Sequence, residues 1–268
     1  MLDLIQITND PAFARRCDAL NGVRVFVDLE RLGKAQRQAG RNTFISDHQI
    51  DDVGRIKSQL RRSRLMVRIN PLNVRTRDEV QAVLAHGADM LMLPMFENAS
   101  QLQEFLAIVD GRAPVCALLE TAGALASAGE WMATPGLFEV FVGLNDLHLS
   151  LGQRFMFESL ADGTVDRVAA MAHARGIAFG FGGIARLEEG LLPGRDVLAE
   201  HLRLGSGSVI LSRTFHRADS SASFEDEVAG MRAAEASLAL RTPQQMRADA
   251  VRIAQAIRGI AEAMAEAA

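Results

Sequence analysis

The sequence has little cysteine, little lysine and no long apolar segment. Two cysteines, Cys17 and Cys116, in 268 residues are too few for a disulfide framework and are typical of a reducing compartment. No apolar run reaches the roughly 20 residues that a membrane-spanning helix needs, and no basic leader opens the chain. The net charge of −4 lacks the excess of base that nucleic-acid binding requires. We therefore expect a cytoplasmic protein with neither a membrane nor a nucleic acid as partner.

Eight short apolar runs alternate with amphipathic segments along most of the chain. Continuous runs of Val, Ile, Leu and Phe are typical of parallel strands that are buried on both faces. The pattern predicts a (β/α)8 barrel over residues 1–220, whereas a doubly wound open sheet, the alternative, rarely has eight evenly spaced units. The predicted strands span residues 2–7, 23–29, 65–70, 90–94, 115–120, 140–144, 178–183 and 208–212.

Helix-start signals occur between the strands and in the last part of the chain. The run Thr76–Glu79 has the pattern of a capping box that opens a helix. Residues 221–268 contain no strand candidate and predict a helical extension, with Thr242 as N-cap and Pro243 at the first helical position. Its apolar stripe consists of Met246, Ala250, Ile253, Ile257, Ile260 and Met264.

We expect the apolar stripe of the extension to be buried against another surface, because large apolar side chains are rarely left in water as a patch. The extension either covers its own barrel or docks on another subunit. A barrel already has an outer ring of helices, so we expect residues after about 240 to contact a second chain of a homo-oligomer.

Charged side chains lie at the carboxyl ends of the predicted strands, where barrel enzymes carry their chemistry. Glu120 and Asp146 end neighbouring strands, which lie about 4.8 Å apart. Two carboxylates that close repel each other unless a cation lies between them, and oxygen ligands suit Mg²⁺ or Mn²⁺. The alternative is that each carboxylate only caps the helix that follows it.

Arg68 and a pair of glycines lie at other strand ends. A guanidinium at the barrel mouth suits a carboxylate or enolate oxygen, whereas a structural ion pair with Glu120 or Glu30 is the alternative. The amides of the glycine-containing segments Gly182-Gly183 and 205–207 are candidates for binding a carboxylate or a phosphate.

Five motifs in order resemble the HpcH/HpaI aldolase/citrate lyase family over roughly residues 20–215. The resemblance implies that Glu120 and Asp146 hold Mg²⁺ or Mn²⁺, and that Arg68 contacts a 2-oxo acid and stabilises its enolate. It also implies that Asp146 and the amide near Leu147 take part in substrate binding, and that the protein forms trimers or hexamers. The motifs are Asp28-Leu29-Glu30, Val67-Arg68-Ile69-Asn70, Gly87-Ala88-Asp89-Met90-Leu91-Met92-Leu93-Pro94, Leu119-Glu120-Thr121 and Gly143-Leu144-Asn145-Asp146-Leu147-His148-Leu149-Ser150-Leu151-Gly152.

Two positions depart from the branches of this family. Arg31 stands where the pyruvate aldolase branch has its histidine base, and Met95 stands where the citrate lyase branch has a lysine. We expect His48 to serve as the base instead, oriented by Asp47 or Asp28. The alternative is that His48 is an exposed residue at a helix start.

The residues and the resemblance together predict a metal-dependent aldolase that cleaves or forms 2-oxo-acid aldols, with a 2-oxo acid and an aldehyde as its small molecules. Only Lys34 and Lys57 could form a Schiff base, and neither ends a strand. Two alternatives stay open. One is a lyase or thioesterase acting on 3-hydroxyacyl-CoA, and the other is a non-catalytic barrel that lacks the base.

Overall fold

A computed structural model describes residues 1–33, 46–216 and 222–266. Eight parallel strands close a barrel in chain order, so the predicted (β/α)8 fold is confirmed. Each strand lies within three residues of its predicted bounds. The strands are β1 (Asp3–Ile7), β2 (Val23–Asp28), β3 (Leu65–Arg68), β4 (Met90–Leu93), β5 (Val115–Leu119), β6 (Leu137–Val142), β7 (Ala178–Ile184) and β8 (Ser208–Leu211).

Helices follow the strands, and two long ones end the chain. A short 3₁₀ helix, Arg213–His216, comes directly after β8. The α-helices of the described residues are α1 (Pro11–Asp18), α2 (Ile50–Lys57), α3 (Thr76–Ala85), α4 (Ala99–Val109), α5 (Ala122–Ala126), α6 (Ala128–Trp131), α7 (Leu144–Ser150), α8 (Glu158–Ala161), α9 (Thr164–His173), α10 (Gly194–Arg203), α11 (Phe224–Leu238) and α12 (Pro243–Glu266).

The start of α3 differs from the predicted capping box. Arg75 is the N-cap and Thr76 is already helical. The Thr76 hydroxyl accepts the Asn73 amide (2.8 Å), and the Glu79 carboxylate accepts both the amide and the side-chain N–H of Asn70 (3.1 and 2.8 Å). The capping-box prediction is wrong because the Thr76 hydroxyl is used in a local turn with the Asn73 amide. As a result, Glu79 anchors the carboxyl end of β3.

The chain divides into two compact units. The first, Ile5–Phe141, has a buried ion pair in which Arg24 Nη1 lies 2.6 Å from Glu139 Oε2. The same Nη1 lies 3.7 and 3.5 Å from the sulfurs of Met66 and Met90. Strands β2, β3 and β4 pair in register, with Asp28 opposite Arg68. This register brings the last residues of β2 and β3 side by side.

The free cysteines agree with the expectation of no disulfide framework. Cys17 and Cys116 are both buried and unbonded to each other. Burial, helped by the Glu139 carboxylate, raises the pKa of the Cys116 thiol well above its usual value. Such a thiol is inert, because the thiolate is the reactive form.

The second unit comprises Met1–Leu4 and Val142–Ala268. His201 on α10 stacks on Phe181 of β7 with ring centroids 3.7 Å apart. Its Nδ1 lies 2.8 Å from the Ser206 hydroxyl, while its buried Nε2 has no hydrogen-bond partner. Burial lowers the pKa of His201 to about 3. This imidazole is therefore neutral at ordinary pH.

The final helix packs on its own chain. The Gln245 amide and the Thr242 side chain complete the predicted cap (3.3 Å), and α12 lies against α8 and α10. Ile253 and Ile257 are 1% and 0% exposed. The central part of the stripe is thus covered within the chain, as one of the two interpretations expected. The helical extension is confirmed, whereas the division at residue 220 and the homo-oligomer stay predictions.

None of the helices in the part of the chain that the structure describes is long and apolar enough to cross a membrane.

Candidate active site

The carboxyl ends of β2 and β3 meet in a forked ion pair. Arg68 Nε donates to Asp28 Oδ1 (2.9 Å), and Arg68 Nη2 donates to Asp28 Oδ2 (2.8 Å). Asp28 is 2% exposed. The fork follows from the register, which sets these residues opposite each other. Two parallel charge-assisted hydrogen bonds fix the plane of the guanidinium as well as its position.

A second carboxylate flanks the same guanidinium. Glu30 is 1% exposed, and its Oε2 lies 3.4 Å from Arg68 Nη1. Burial acts to lower the pKa of Arg68, but the charges of Asp28 and Glu30, with a smaller contribution from Glu120, outweigh it and raise that pKa. Arg68 does pair with Glu30, as one interpretation expected, and Asp28 takes only two of its five N–H groups.

His48 is buried beside Asp28 and contacts the main chain of Asp28. His48 is 4% exposed, so the alternative of an exposed helix-start residue is wrong. Its Nδ1 accepts the Asp28 amide (3.0 Å), and a neutral ring with this bond carries its proton on Nε2. As a base, His48 would have to release the amide at Nδ1. Its role as the base stays a prediction.

Two further residues complete this cluster, and sequence reasoning did not assign them a role. The Ser46 hydroxyl donates to Asp28 Oδ2 (3.1 Å). Arg31 Nη2 donates to the carbonyl oxygens of Asp47 and His48 (3.3 and 3.0 Å), and the Arg31 amide donates to Asn70 Oδ1 (2.9 Å). Arg31 thus binds main chain at the position where the resemblance to the pyruvate aldolase branch implied a histidine. The one sequence signal for it was that departure.

Glu120 follows β5 and is 2% exposed. Its Oε1 accepts the amide of Met95 (3.0 Å), and Met95 has a φ of 55°. A positive φ is uncommon outside glycine, and here it accompanies an amide bonded to a buried carboxylate. Thr121, not Glu120, caps the following helix, because its side chain accepts the Ala124 amide. Capping therefore does not account for Glu120.

Asp146, the other expected metal ligand, lies in the first turn of α7. Its position fits the alternative of a carboxylate at a helix start. Leu147, next to it, is fully buried. His148 Nδ1 lies 3.2 Å from the carbonyl oxygen of Leu144, so this ring nitrogen is engaged within the helix.

The glycines after β7 lie where the strand pairing is irregular. The register between β7 and β8 shifts between Gly180 and Gly183. Gly182 has a φ of +61°, and a Cβ there would lie 3.0 Å from Leu144 Cδ1. Any larger residue at 182 would be strained. Gly183, the predicted substrate-binding residue, is half-buried beside it.

Lys57 does not lie at the carboxyl end of a strand. Lys57 Nζ lies 2.6 and 2.7 Å from the carboxylate of Asp89, which precedes β4 and so belongs to the opposite end of that strand. Lys34 lies outside the described residues. For Lys57, the structure agrees with the expectation that it is not placed as a Schiff-base nucleophile.

The donor chemistry of Glu120 and Asp146 fits a hard divalent cation, since carboxylate oxygens are the ligands that Mg²⁺ and Mn²⁺ prefer. Glu120 is buried, and a buried carboxylate requires hydrogen bonds or a counter-charge. Among the described residues no group of three or more His, Cys, Asp or Glu side chains could hold a metal ion. The metal site of Glu120 and Asp146 stays a prediction.

Comparisons with known proteins agree with the fold and the motifs. A 130-residue segment is 32% identical to a (3S)-malyl-CoA thioesterase of Cereibacter sphaeroides (strain KD131 / KCTC 12085), covering 47% of this chain and 45% of the relative. The match thus spans less than half the length of that curated relative.

Solved structures share the fold at low identity. An HpcH/HpaI aldolase from Desulfitobacterium hafniense DCB-2 superposes with a TM-score of 0.60 at 15% identity, covering 91% of this chain and 95% of that one. A citrate lyase beta subunit from M. tuberculosis, complexed with oxaloacetate and magnesium, gives 0.57 at 20% identity, covering 87% and 96%. The family model HpcH/HpaI aldolase/citrate lyase matches residues 25–186. The chain therefore belongs to the HpcH/HpaI aldolase/citrate lyase family.

Proposed function

We propose that the protein is a divalent-metal-dependent carbon–carbon lyase that cleaves or forms aldols of 2-oxo acids. The observation that carries this proposal is the Arg68 guanidinium, which is half-buried at the end of β3 and whose plane is fixed by two hydrogen bonds to Asp28. A cation fixed in this way needs no reorganisation when negative charge develops on a substrate oxygen. Arg68 Nη1 also pairs with Glu30 at 3.4 Å, so that oxygen would be bound by the N–H groups that neither carboxylate takes.

The reaction is a retro-aldol cleavage. A base removes the proton of the substrate's 4-hydroxyl group, the C3–C4 bond breaks to release an aldehyde, and its electron pair forms the enolate of the 2-oxo acid. Protonation at C3 then gives the free acid. Arg68 stabilises the enolate oxygen, His48 is our candidate for the base, and Asp28 orients Arg68.

Glu120 and Asp146 are the residues that would hold Mg²⁺ or Mn²⁺. When bound, such an ion supplies Lewis-acid polarisation of the keto and carboxylate oxygens. The main-chain N–H groups near Leu147 and Gly183 would bind the substrate carboxylate. Met95 would help to orient Glu120, because the Met95 amide donates a hydrogen bond to one oxygen of the Glu120 carboxylate.

A second candidate is hydrolysis or cleavage of a 3-hydroxyacyl-CoA. The (3S)-malyl-CoA thioesterase that is 32% identical over 130 residues favours it. A thioester carbonyl also gathers negative charge on its oxygen when it is attacked or enolised, so Arg68 would serve the same purpose. The two candidate reactions therefore differ in the leaving group, and both use Arg68 to bind the oxygen on which negative charge develops.

One experiment separates these functions. The protein is incubated with 4-hydroxy-2-oxo acids and, in parallel, with malyl-CoA, each with Mg²⁺, with Mn²⁺ or with a chelator. We expect metal-dependent release of pyruvate or a related 2-oxo acid from the first set. Activity on malyl-CoA but not on the 4-hydroxy-2-oxo acids, seen as CoA thiol after hydrolysis or as glyoxylate and acetyl-CoA after cleavage, would favour the second candidate. Inactivity on both, in a folded sample that binds the metal, would favour a non-catalytic barrel and contradict the proposal.

A further inference from the structure

Arg31 has an unusual set of contacts for an exposed arginine. Its Nη2 donates to two consecutive carbonyl oxygens, those of Asp47 (3.3 Å) and His48 (3.0 Å). Its own amide, together with that of Leu32, donates to Asn70 Oδ1 (2.9 and 3.0 Å). Arg31 therefore ties the chain after β2 to residues 47–48 on one side and to the end of β3 on the other.

The segment that Arg31 holds contacts Asp28 from two directions. The Ser46 hydroxyl donates to Asp28 Oδ2 (3.1 Å), and His48 Nδ1 accepts the Asp28 amide (3.0 Å). Asp28 in turn makes both hydrogen bonds of the fork with Arg68. A continuous series of hydrogen bonds thus leads from Arg31 through residues 46–48 to Asp28 and Arg68.

We propose that Arg31 is a positioning residue, which clamps residues 46–48 against Asp28 and so fixes the orientation of Arg68. A guanidinium donates hydrogen bonds and accepts none, and it stays protonated in proteins. Arg31 therefore cannot act as the base that the resemblance implied for this position. It has instead the donors that two carbonyl oxygens require. The catalytic part of this inference rests on the proposed function, whereas the clamp itself does not.

The clamp is tested first without any substrate, by amide hydrogen exchange read by mass spectrometry. The variants are Arg31→Ala and Arg31→Lys, and Arg77→Ala on α3 is the matched control that removes an exposed charge. We expect the Asp28 amide and residues 46–49 to exchange at least about tenfold faster in Arg31→Ala, to be intermediate in Arg31→Lys and to be unchanged in Arg77→Ala. Unchanged protection of the Asp28 amide in Arg31→Ala would overturn the clamp, whatever the substrate is.

The effect on Arg68 is tested with oxalate, a planar mimic of a pyruvate enolate, and by kinetics. With Mn²⁺ present, calorimetry should show oxalate binding Arg31→Ala about tenfold more weakly than wild type, with pyruvate changed by less than about threefold. On any substrate that the wild type turns over, kcat should fall about tenfold while KM stays within about threefold, and Arg31→Lys should recover most of kcat.

The outcomes keep the two proposals apart. If Arg31→Ala shows faster exchange at Asp28 but normal oxalate affinity, Arg31 clamps residues 46–48 without positioning Arg68. That result would overturn the positioning part of the inference. A rise in KM alone would indicate direct substrate contact by Arg31 and would also overturn it. Wild-type inactivity on every substrate would contradict the proposed function, while the exchange and oxalate measurements would still decide the role of Arg31.

Discussion

Replacing Arg68 by lysine is the sharpest test of the fork. Lysine keeps the positive charge but has a single ammonium group in place of a planar pair of donors. In the wild type, Arg68 Nε and Nη2 reach the two oxygens of Asp28 at 2.9 and 2.8 Å. The shorter, rotatable ammonium cannot satisfy both oxygens and at the same time face a substrate.

The magnitude follows from these contacts. A hydrogen bond to a charged group contributes about 1.5–3 kcal/mol, and removing one oxyanion donor from an active site typically lowers turnover by about 10²–10³. We therefore expect kcat/KM for Arg68→Lys to fall by roughly 100-fold, or about 2.7 kcal/mol at 1.36 kcal/mol per factor of ten. The free energy of unfolding should fall by about 1.5–3 kcal/mol, because the buried Asp28 carboxylate, which also accepts the Glu30 amide and the Ser46 hydroxyl, loses one of its two charge-assisted hydrogen bonds to the guanidinium.

The assay pairs steady-state kinetics with urea unfolding, and Arg252→Lys is the matched control. Arg252 also makes a two-pronged contact, with Nη1 and Nη2 at 2.9 and 2.6 Å from the oxygens of Asp196, but its side chain is 55% exposed. The control should lose less than about 1 kcal/mol of stability and no activity. If Arg68→Lys retained turnover within about threefold of wild type, the guanidinium would be structural and our reasoning wrong.

Three further predictions concern other parts of the molecule. Glu120→Gln keeps the shape of the side chain, so it should abolish Mn²⁺ binding measured by electron paramagnetic resonance while urea unfolding changes by about 1 kcal/mol or less; tight Mn²⁺ binding in this variant would remove Glu120 from the ligand set. Burial lowers the pKa of His201 to about 3, so on acidification the imidazole of the unfolded chain is protonated before that of the folded chain. The free energy of unfolding should therefore fall by up to about 1.4 kcal/mol per pH unit as the pH drops from about 6.5 towards 3. Urea denaturation at several pH values should show that His201→Phe loses this part of the pH dependence, which corresponds to the uptake of one proton on unfolding. An unchanged slope of the free energy of unfolding against pH would contradict the low pKa of His201. Light scattering should give three or six chains per particle. If the full-length protein and a chain cut at Arg241 are both monomeric and equally active, the assembly is disproved. Any loss of stability on cutting would report the packing of Ile253 and Ile257.

The barrel could be predicted from sequence because buried parallel strands leave a simple signal. Each strand is a short apolar run, and β2, β4 and β5 are buried along their whole length. Helix ends were less predictable. Thr76 has the right spacing for a capping box, but Asn73 competes for the Thr76 hydroxyl in a local turn, and one-dimensional spacing contains no information on that competition.

The sequence predicted that charged residues lie at the strand ends, but it did not predict their contacts. Asp28, Arg68 and Glu120 follow from their positions at strand ends, because the fold collects those ends at one face. That Asp28 and not Glu30 makes the fork, and that His48 accepts the Asp28 amide, depends on register and side-chain direction. Arg31 was noticed only as a departure, since its partners are main-chain oxygens that any sequence carries.

The ion pair of Arg24 and Glu139 has a consequence for the order in which the first unit can form. The two residues are 115 positions apart, and both are almost fully buried in the finished fold. A buried charge that loses its partner is strongly destabilising, by about 3–5 kcal/mol. During synthesis, β2 through β5 emerge from the ribosome before Glu139 does, so the growing chain cannot bury Arg24 with this partner until β6 is available. The unit from Ile5 to Phe141 should therefore reach its native packing late and in one step, when its last strand arrives.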